Sequence, residues 1–520
     1  MLKSILMLCL MSLQVIAVAL PPTDLSGIGV IPKPVSVSPA AGVFTLTEKS
    51  TIFVAGEADE IMKIGLYLAA KINPATGFGI QVKSVNGDRA AGNIYLALST
   101  ANPQLGDEGY QLVISKDFVN LTANKPAGLF NGIQTIRQLF PSGIENAMKQ
   151  QGPWEIPAGT IRDYPEYSYR GVMLDVARHF FQVEDVKRYI DLMAAYKMNV
   201  MHLHLSDDQG WRIEIKKWPK LTEIGGSTQV DGGKGGFYTQ EQYTDIVNYA
   251  AERYIMIIPE IDMPGHTNAA LASYPELNCN DKATELYKGT KVGFSTLCTG
   301  KEITYQFIAD VFGELAAITP GPYLHIGGDE SHVTKLEDYI PFVNRVQEIV
   351  GATGKKVIGW DEIALSTLKP NTYVHYWAKA ENALKGVKQG ARVIMSPAAN
   401  AYVDMQYDAT TKLGLHWAGY IEVDKGYNWD PASLVPGIGK ENILGIEAPL
   451  WSETITNMNE IEYMVFPRLP GYAEIGWSAP ATRNWDEYKV RLGMQDVRFK
   501  ALQIDYYPSK LVPWSAPIKK

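Results

Sequence analysis

The string His325-Ile326-Gly327-Gly328-Asp329-Glu330 is where residue type and spacing point most directly to chemistry. A short apolar run ends in two glycines, which accept backbone angles and close approaches that Cβ-bearing residues resist. Two neighbouring carboxylates follow. Adjacent acids in a low-dielectric pocket push their pKa values apart, so one ionises while the other keeps a proton near neutrality. A proton held that way is what general acid catalysis needs. Alone, the string also fits a solvated turn. Its company argues otherwise. Asp175 and Arg178 follow one apolar run, and His202, His204, Asp207 and Asp208 surround the next. Glu260, Asp262 and His266 stand in Pro-Glu-Ile-Asp-Met-Pro-Gly-His. Trp360-Asp361-Glu362, Tyr376-Trp377, Tyr402 with Asp404, and Trp451 with Glu453 close later runs. Carboxylates mixed with indole rings suit a sugar, whose hydroxyls need acceptors and whose C–H face stacks on aromatics.

Other chemistries lack their residues. No phosphate-cradling Gly-Lys-Ser/Thr loop, no His-Glu-x-x-His, no cysteine cluster and no Gly-x-Ser-x-Gly elbow occurs. His202-x-His204 on a strand would put both rings on one face, a spacing some barrel hydrolases use for metals. A histidine among carboxylates is more often a hydrogen-bonding partner, so neither a metal nor another cofactor is expected. Asp207 and Asp208 are not separable by spacing, and Asp175 with Arg178 reads as an ion pair at a strand end.

The elements that must carry these residues follow one rhythm. Apolar runs at Gly171–Val176, Asn199–Leu205, Ile255–Ile261, Tyr323–Gly327, Lys356–Trp360, Tyr373–Trp377, Arg392–Ser396 and Ile443–Leu450 read as strands. Helical periods fall between several of them, at Val183–Tyr196, Thr239–Arg253, Glu302–Ala317 and Leu336–Val350. Eight strands alternating with helices predict a (β/α)8 barrel over residues 163–510, with a doubly wound open sheet as the alternative. The polar and aromatic residues crowd the C-terminal ends of the runs, where barrel active sites are built. Residues 480–506 read as a final outer helix. Upstream, residues 23–162 mix strand patterns (Ile52–Val54, Asn93–Leu98, Tyr110–Ile114) with helical ones (Glu60–Ala70, Leu129–Leu139), predicting a small α+β domain.

Composition bounds the setting. The 520 residues are 46% hydrophobic and 20% charged, so a full core is readily buried. A net charge of −8 with no Lys/Arg block disfavours a nucleic-acid partner. Residues 1–19 read as a secretory signal: Lys3, an apolar run from Ile5 to Leu13, and Ala17-Val18-Ala19 as a small-x-small cleavage site. A secreted or periplasmic protein follows, with no membrane span once the signal is removed. Two cysteines then remain, Cys279 and Cys298, which in an exported chain favour one loop-closing disulfide over a pair of buried thiols.

Five motifs together carry a resemblance. Arg170-Gly-Val-Met-Leu-Asp175, His202-Leu-His-Leu-Ser-Asp-Asp-Gln-Gly-Trp211, Pro259-Glu-Ile-Asp-Met-Pro-Gly-His266, His325-Ile-Gly-Gly-Asp-Glu330 and Leu450-Trp-Ser-Glu453 resemble, in order, those of the β-N-acetylhexosaminidases of glycoside hydrolase family 20. The resemblance covers roughly residues 25 to 510 and is nearest to secreted bacterial members. It implies a (β/α)8 barrel behind an α+β domain. It also implies release of terminal β-linked N-acetylglucosamine or N-acetylgalactosamine by a retaining, substrate-assisted mechanism, one of the exceptions among glycosidases. By that resemblance Glu330 is the acid–base, Asp329 orients the acetamido N–H, and Tyr402 bonds the acetamido carbonyl. Trp360, Trp377 and Trp451 wall the pocket, Arg170 grips O3 and O4, and Asp404 and Glu453 hold O4 and O6. Asp207, chosen over Asp208 by motif alignment, and His266 tune the acid–base glutamate. A sugar-binding relative without turnover would need no proton donor.

Overall fold

The computed structural model describes residues 25–55, 59–85, 87 and 89–514. The expected export signal lies outside them. A seven-stranded mixed sheet comes first: β1 (Ser36–Thr45), β2 (Thr51–Ala55), β3 (Gln81–Val85), β4 (Asn93–Leu98), β5 (Tyr110–Ile114), β6 (Phe118–Ala123) and β7 (Glu155–Asp163), in the order β1-β7-β5-β6-β4-β2-β3. Helices α1 (Asp59–Thr76) and α2 (Pro126–Leu139) pack against each other and the sheet. Sequence periodicity misses the interior strands β6 and β7 and both sheet edges. β1 contains Pro39 and is bulged between Pro39 and Val43, while β3 is largely exposed, so neither shows an apolar face.

The eight apolar runs form a closed parallel barrel, which excludes the open sheet. Its strands are Tyr169–Asp175, Val200–His204, Met256–Glu260, Tyr323–His325, Lys356–Trp360, Tyr373–Tyr376, Arg392–Met395 and Ile443–Leu450. Helices at Val183–Ala195, Gln240–Ala251, Glu302–Ile318 and Leu336–Ala352 cover it. The C-terminal segment read as one helix is two, Trp485–Met494 and Asp496–Ala501.

Strand alternation layers the barrel interior. Tyr169, Val200, Ile258, Ile358, Ile394 and Leu444 make a separate apolar cluster in its lower part. Two residues further along their strands, His202, Glu260 and Trp360 follow Val200, Ile258 and Ile358, and they meet His325, His375 and Glu447 in a second, buried layer. The sheet domain and barrel share one continuous core. Asp163 at the end of β7 ties them: it accepts from Trp477 Nε1 at 2.8 Å, from Lys197 Nζ at 3.0 Å and from the Tyr110 hydroxyl at 2.7 Å.

Candidate active site

Asp329 and Glu330 sit where the fourth barrel strand ends at His325 and the chain turns sharply. Gly327 and Gly328 have φ of +65° and +109°. A Cβ on Gly327 would lie 1.7 Å from Asp262 Oδ1, so only glycine fits there. Glu330 itself has φ +45°, and His266, which faces it, has φ +55°. Two non-glycine residues of one site in the left-handed region is a strained arrangement held by surrounding contacts. The His266 imidazole bridges the pair: its Nε2 is 3.6 Å from both Asp329 Oδ2 and Glu330 Oε2. Its Nδ1 faces Asp207 Oδ1 at 3.1 Å.

The two acids are split in charge, as adjacency predicts, but the bias of the sugar-free site runs one way. Burial, with Asp262 as the next charge, pushes Asp329 well above the carboxylate range. Burial also pushes Glu330 upward, but His266 and Arg178 outweigh it and hold that carboxyl below its ordinary value. Asp262 is pushed up to about 7, chiefly by burial. Asp329 Oδ1 has no partner among the described residues and is a free acceptor.

Around the pair stand the expected rings. Trp360 is fully buried, stacks on His375 and donates from Nε1 to Glu260 at 2.8 Å. Trp377 stacks parallel to Tyr402 and donates to Glu362 at 3.0 Å. Trp451 lies 5.8 Å from Trp360 and 6.3 Å from Tyr402, ring centre to ring centre, closing an aromatic cage. Asp404 is buried with both carboxylate oxygens unpartnered among the described residues; burial, then the neighbouring Glu453, pushes its pKa well up. Burial likewise raises Glu453. Such acids are acceptors awaiting hydroxyl donors.

Asp207 and Asp208 separate clearly. Asp207 touches His266, His204 and Arg178, whereas Asp208 accepts from the Asn268 amide at 2.9 Å and from Ser295, pinning the loop closed by the Cys279–Cys298 disulfide. Arg170 is not at the site. It begins the first barrel strand, at the opposite end from the catalytic pair. Its guanidinium pairs with Glu108, bonds the carbonyls of Lys197 and Tyr167, and stacks on Trp477. The arginine that reaches the site is Arg178, three residues beyond that strand's end. It is 2.9 Å from Asp207 Oδ2 and 3.3 Å from Asp175 Oδ2, over the Trp451 ring at 4.8 Å. Its position after a strand end was the available signal. Trp417 was missed altogether: 57% exposed in an irregular loop, it stands edge-on to both Trp377 and Tyr402.

His202, His325 and His375 approach one another closely enough to suggest a metal. However, His202 Nδ1 hydrogen-bonds Glu447 at 2.9 Å and its Nε2 lies 2.9 Å from Glu260, so carboxylates flank the ring on both sides.

A buried and a half-buried carboxyl side by side, a bridging imidazole and an indole cage at the C-terminal rim of a (β/α)8 barrel define a hydrolase for a sugar. Residues 167–339 and 331–480 match the glycosyl hydrolase family 20 catalytic domain, and residues 27–164 match domain 2 of the same family. The chain therefore belongs to glycosyl hydrolase family 20. It is 41% identical over 493 residues to the β-N-acetylhexosaminidase of Cellulomonas fimi, covering 94% of this chain and 98% of that one. The solved family 20 β-N-acetylhexosaminidase from Streptomyces coelicolor A3(2) superposes with a TM-score of 0.91 at 50% identity, covering 94% and 99% of the two chains. A mutant Streptomyces plicatus β-hexosaminidase solved with its product N-acetylglucosamine gives 0.92 at 49% identity, covering 95% and 99%.

Proposed function

We propose that the protein is an exo-acting β-N-acetylhexosaminidase that releases terminal β-linked N-acetylglucosamine or N-acetylgalactosamine with retention, using the substrate's own acetamide as nucleophile. The observation that carries this reading is the free Asp329 Oδ1 beside Glu330, within an aromatic cage. A retaining enzyme with its own nucleophile sets two carboxyl groups about 5–5.5 Å apart across the anomeric carbon. Acids adjacent in the chain and bridged by one imidazole are poorly placed to straddle a ring. An acetamide folded under the anomeric carbon removes the need.

In this reading the acetamido N–H donates to Asp329 and its carbonyl oxygen accepts from Tyr402, which aims that oxygen at the anomeric carbon. Trp360, Trp377 and Trp451 enclose the methyl and the ring face. Glu330 protonates the departing glycosidic oxygen, then takes a proton from the water that opens the oxazolinium intermediate. A donated N–H favours ionised Asp329 and a developing alkoxide favours protonated Glu330, so substrate reverses the bias of the empty site. Arg178 replaces Arg170 as the cation for sugar hydroxyls, with Asp404 and Glu453 accepting from others. The signal-like residues 1–19 and the disulfide support export to the periplasm or beyond.

The test compares hydrolysis of a chromogenic N-acetyl-β-glucosaminide with that of the matching β-glucoside. Release from the first with almost none from the second is expected. Comparable rates from both would require an enzyme nucleophile and end this reading.

A further inference from the structure

The imidazole that touches Glu330 is the last link of a longer buried series. His266 Nδ1 is 3.1 Å from Asp207 Oδ1, and His204 Nε2 is 2.8 Å from Asp207 Oδ2. His204 Nδ1 is 2.6 Å from Glu260 Oε2, which is 2.9 Å from His202 Nε2. His202 Nδ1 is 2.9 Å from Glu447 Oε1, and the other Glu447 oxygen accepts from the Tyr169 hydroxyl. Carboxylate and imidazole alternate from the barrel core to the catalytic pair. The three carboxylates and three imidazoles are all buried.

His204 hydrogen-bonds a carboxylate at each nitrogen, so both are donors and the ring carries a charge, while His202 and His266 each bond one carboxylate and hold a second within ion-pair reach. Two further histidines border the same acids, and burial holds both below the ordinary imidazole value: His325, whose Nδ1 lies 3.1 Å from the Gly327 amide and 3.0 Å from Glu260 Oε1, and His375, down to about 3. Alternating charges in a water-free interior interact strongly along their length.

We propose that His204 and Glu260 are positioning residues for catalysis, setting the proton affinity of Glu330 through Asp207 and His266. His204 holds one Asp207 oxygen and leaves the other for His266, while Glu260 keeps His204 turned toward Asp207, whose carboxylate holds the charge on the ring. The inference rests on Glu330 being the acid–base group. The other groups facing the series are Arg178 on Asp207, Trp451 edge-on to His204, and Trp360 and His325 on Glu260. Besides His266, Arg178, His332 and the neighbouring Asp329 act on Glu330, and Asp262 acts on Asp329.

The signs make the test. The alkaline limb of kcat, which reports the enzyme–substrate complex, marks loss of the Glu330 proton. His204→Gln removes a positive charge from the series, so that limb moves to higher pH. Glu260→Gln removes a negative charge, so it moves to lower pH. Displacements of about half a pH unit or more are expected for charges one or two links away. A merely structural role would depress kcat or folding in both variants without moving the limbs apart. Unmoved limbs, or limbs moved in the same direction, overturn the proposal. Glu330→Gln separates the two readings: full activity in that variant would instead sink the acid–base assignment. Should either variant fail to fold, the wild-type ring of His204 decides by nitrogen NMR. It should be protonated at both nitrogens at pH 7.5 and shift when N-acetylglucosamine is added. A neutral or unresponsive ring overturns the proposal equally.

Discussion

At the residue scale, two arginines ten positions or fewer apart have opposite duties. Arg178 enters the site over Trp451 and grips Asp207, whereas Arg170 is locked to Glu108 and two carbonyls where the two domains meet. The resemblance had pointed to Arg170 because it opens a matching motif. Read without it, an arginine at the start of a strand is structural, and its contacts with Glu108 and the two carbonyls agree. Arg178→Lys keeps the charge but loses the planar fork, so kcat/KM should fall about 10-fold or more, the worth of one charged hydrogen bond, with little change in Tm. Arg170→Met should do the reverse. It removes one partner of a mostly buried ion pair, a loss of about 3 kcal/mol, while the folded fraction keeps its kcat and KM. Steady-state kinetics beside thermal melts would check both, and a raised KM in Arg170→Met alone would reverse the assignment.

At the element scale, the eight barrel strands were legible because parallel strands buried on both faces are written as near-continuous apolar runs. Edge strands β1 and β3 were not, since an exposed or proline-bearing edge carries no alternation to read. What the strands hold inside gives stability a pH dependence. Burial opposes the charge on His202, but Glu447 and Glu260 outweigh it and push its pKa up to about 9. A raised histidine contributes fully below its unfolded value of 6.5, and that contribution is lost as pH rises toward 9. His204 and His266 are shifted the same way. Burial raises Glu447, yet His375 and His202 bring it down to about 2, so its contribution is present above 4.5 and lost as pH falls toward 2. His375, held down to about 3 by burial, adds to the loss on that acid side. Asp262, raised to about 7, runs against both and flattens the acid side. Asp329, Asp404 and Glu453 are raised too, so the clear trend is alkaline: melting temperature at constant ionic strength should decline from about pH 6.5 toward 9. A Tm that is flat or rising from pH 6.5 to 9 would contradict the charged histidine core.

At the scale of the whole molecule, the sheet domain and the barrel share a core around Asp163, Lys197 and Trp477, far along the barrel from the catalytic pair. The site itself was largely legible because barrel chemistry gathers at strand ends, and Asp329, Glu330, Tyr402, Asp404, Trp451 and Glu453 all lie there. Trp417 was not, because a loop residue with no periodicity announces nothing until the fold brings it beside Tyr402. The lock between Asp207, His204 and Glu260 was equally hidden: each residue was visible, but their order depends on two neighbouring barrel strands and the loop after the first of them. All these parts serve one central claim, that the substrate's acetamide attacks the anomeric carbon while Asp329 and Tyr402 hold it. The most direct measurement is kcat/KM for a series of glycosides whose N-acyl methyl carries none, one, two or three fluorines. Fluorine weakens the carbonyl oxygen as a nucleophile with little change in size. The account predicts a stepwise fall in rate across the series; a rate independent of fluorination would contradict it.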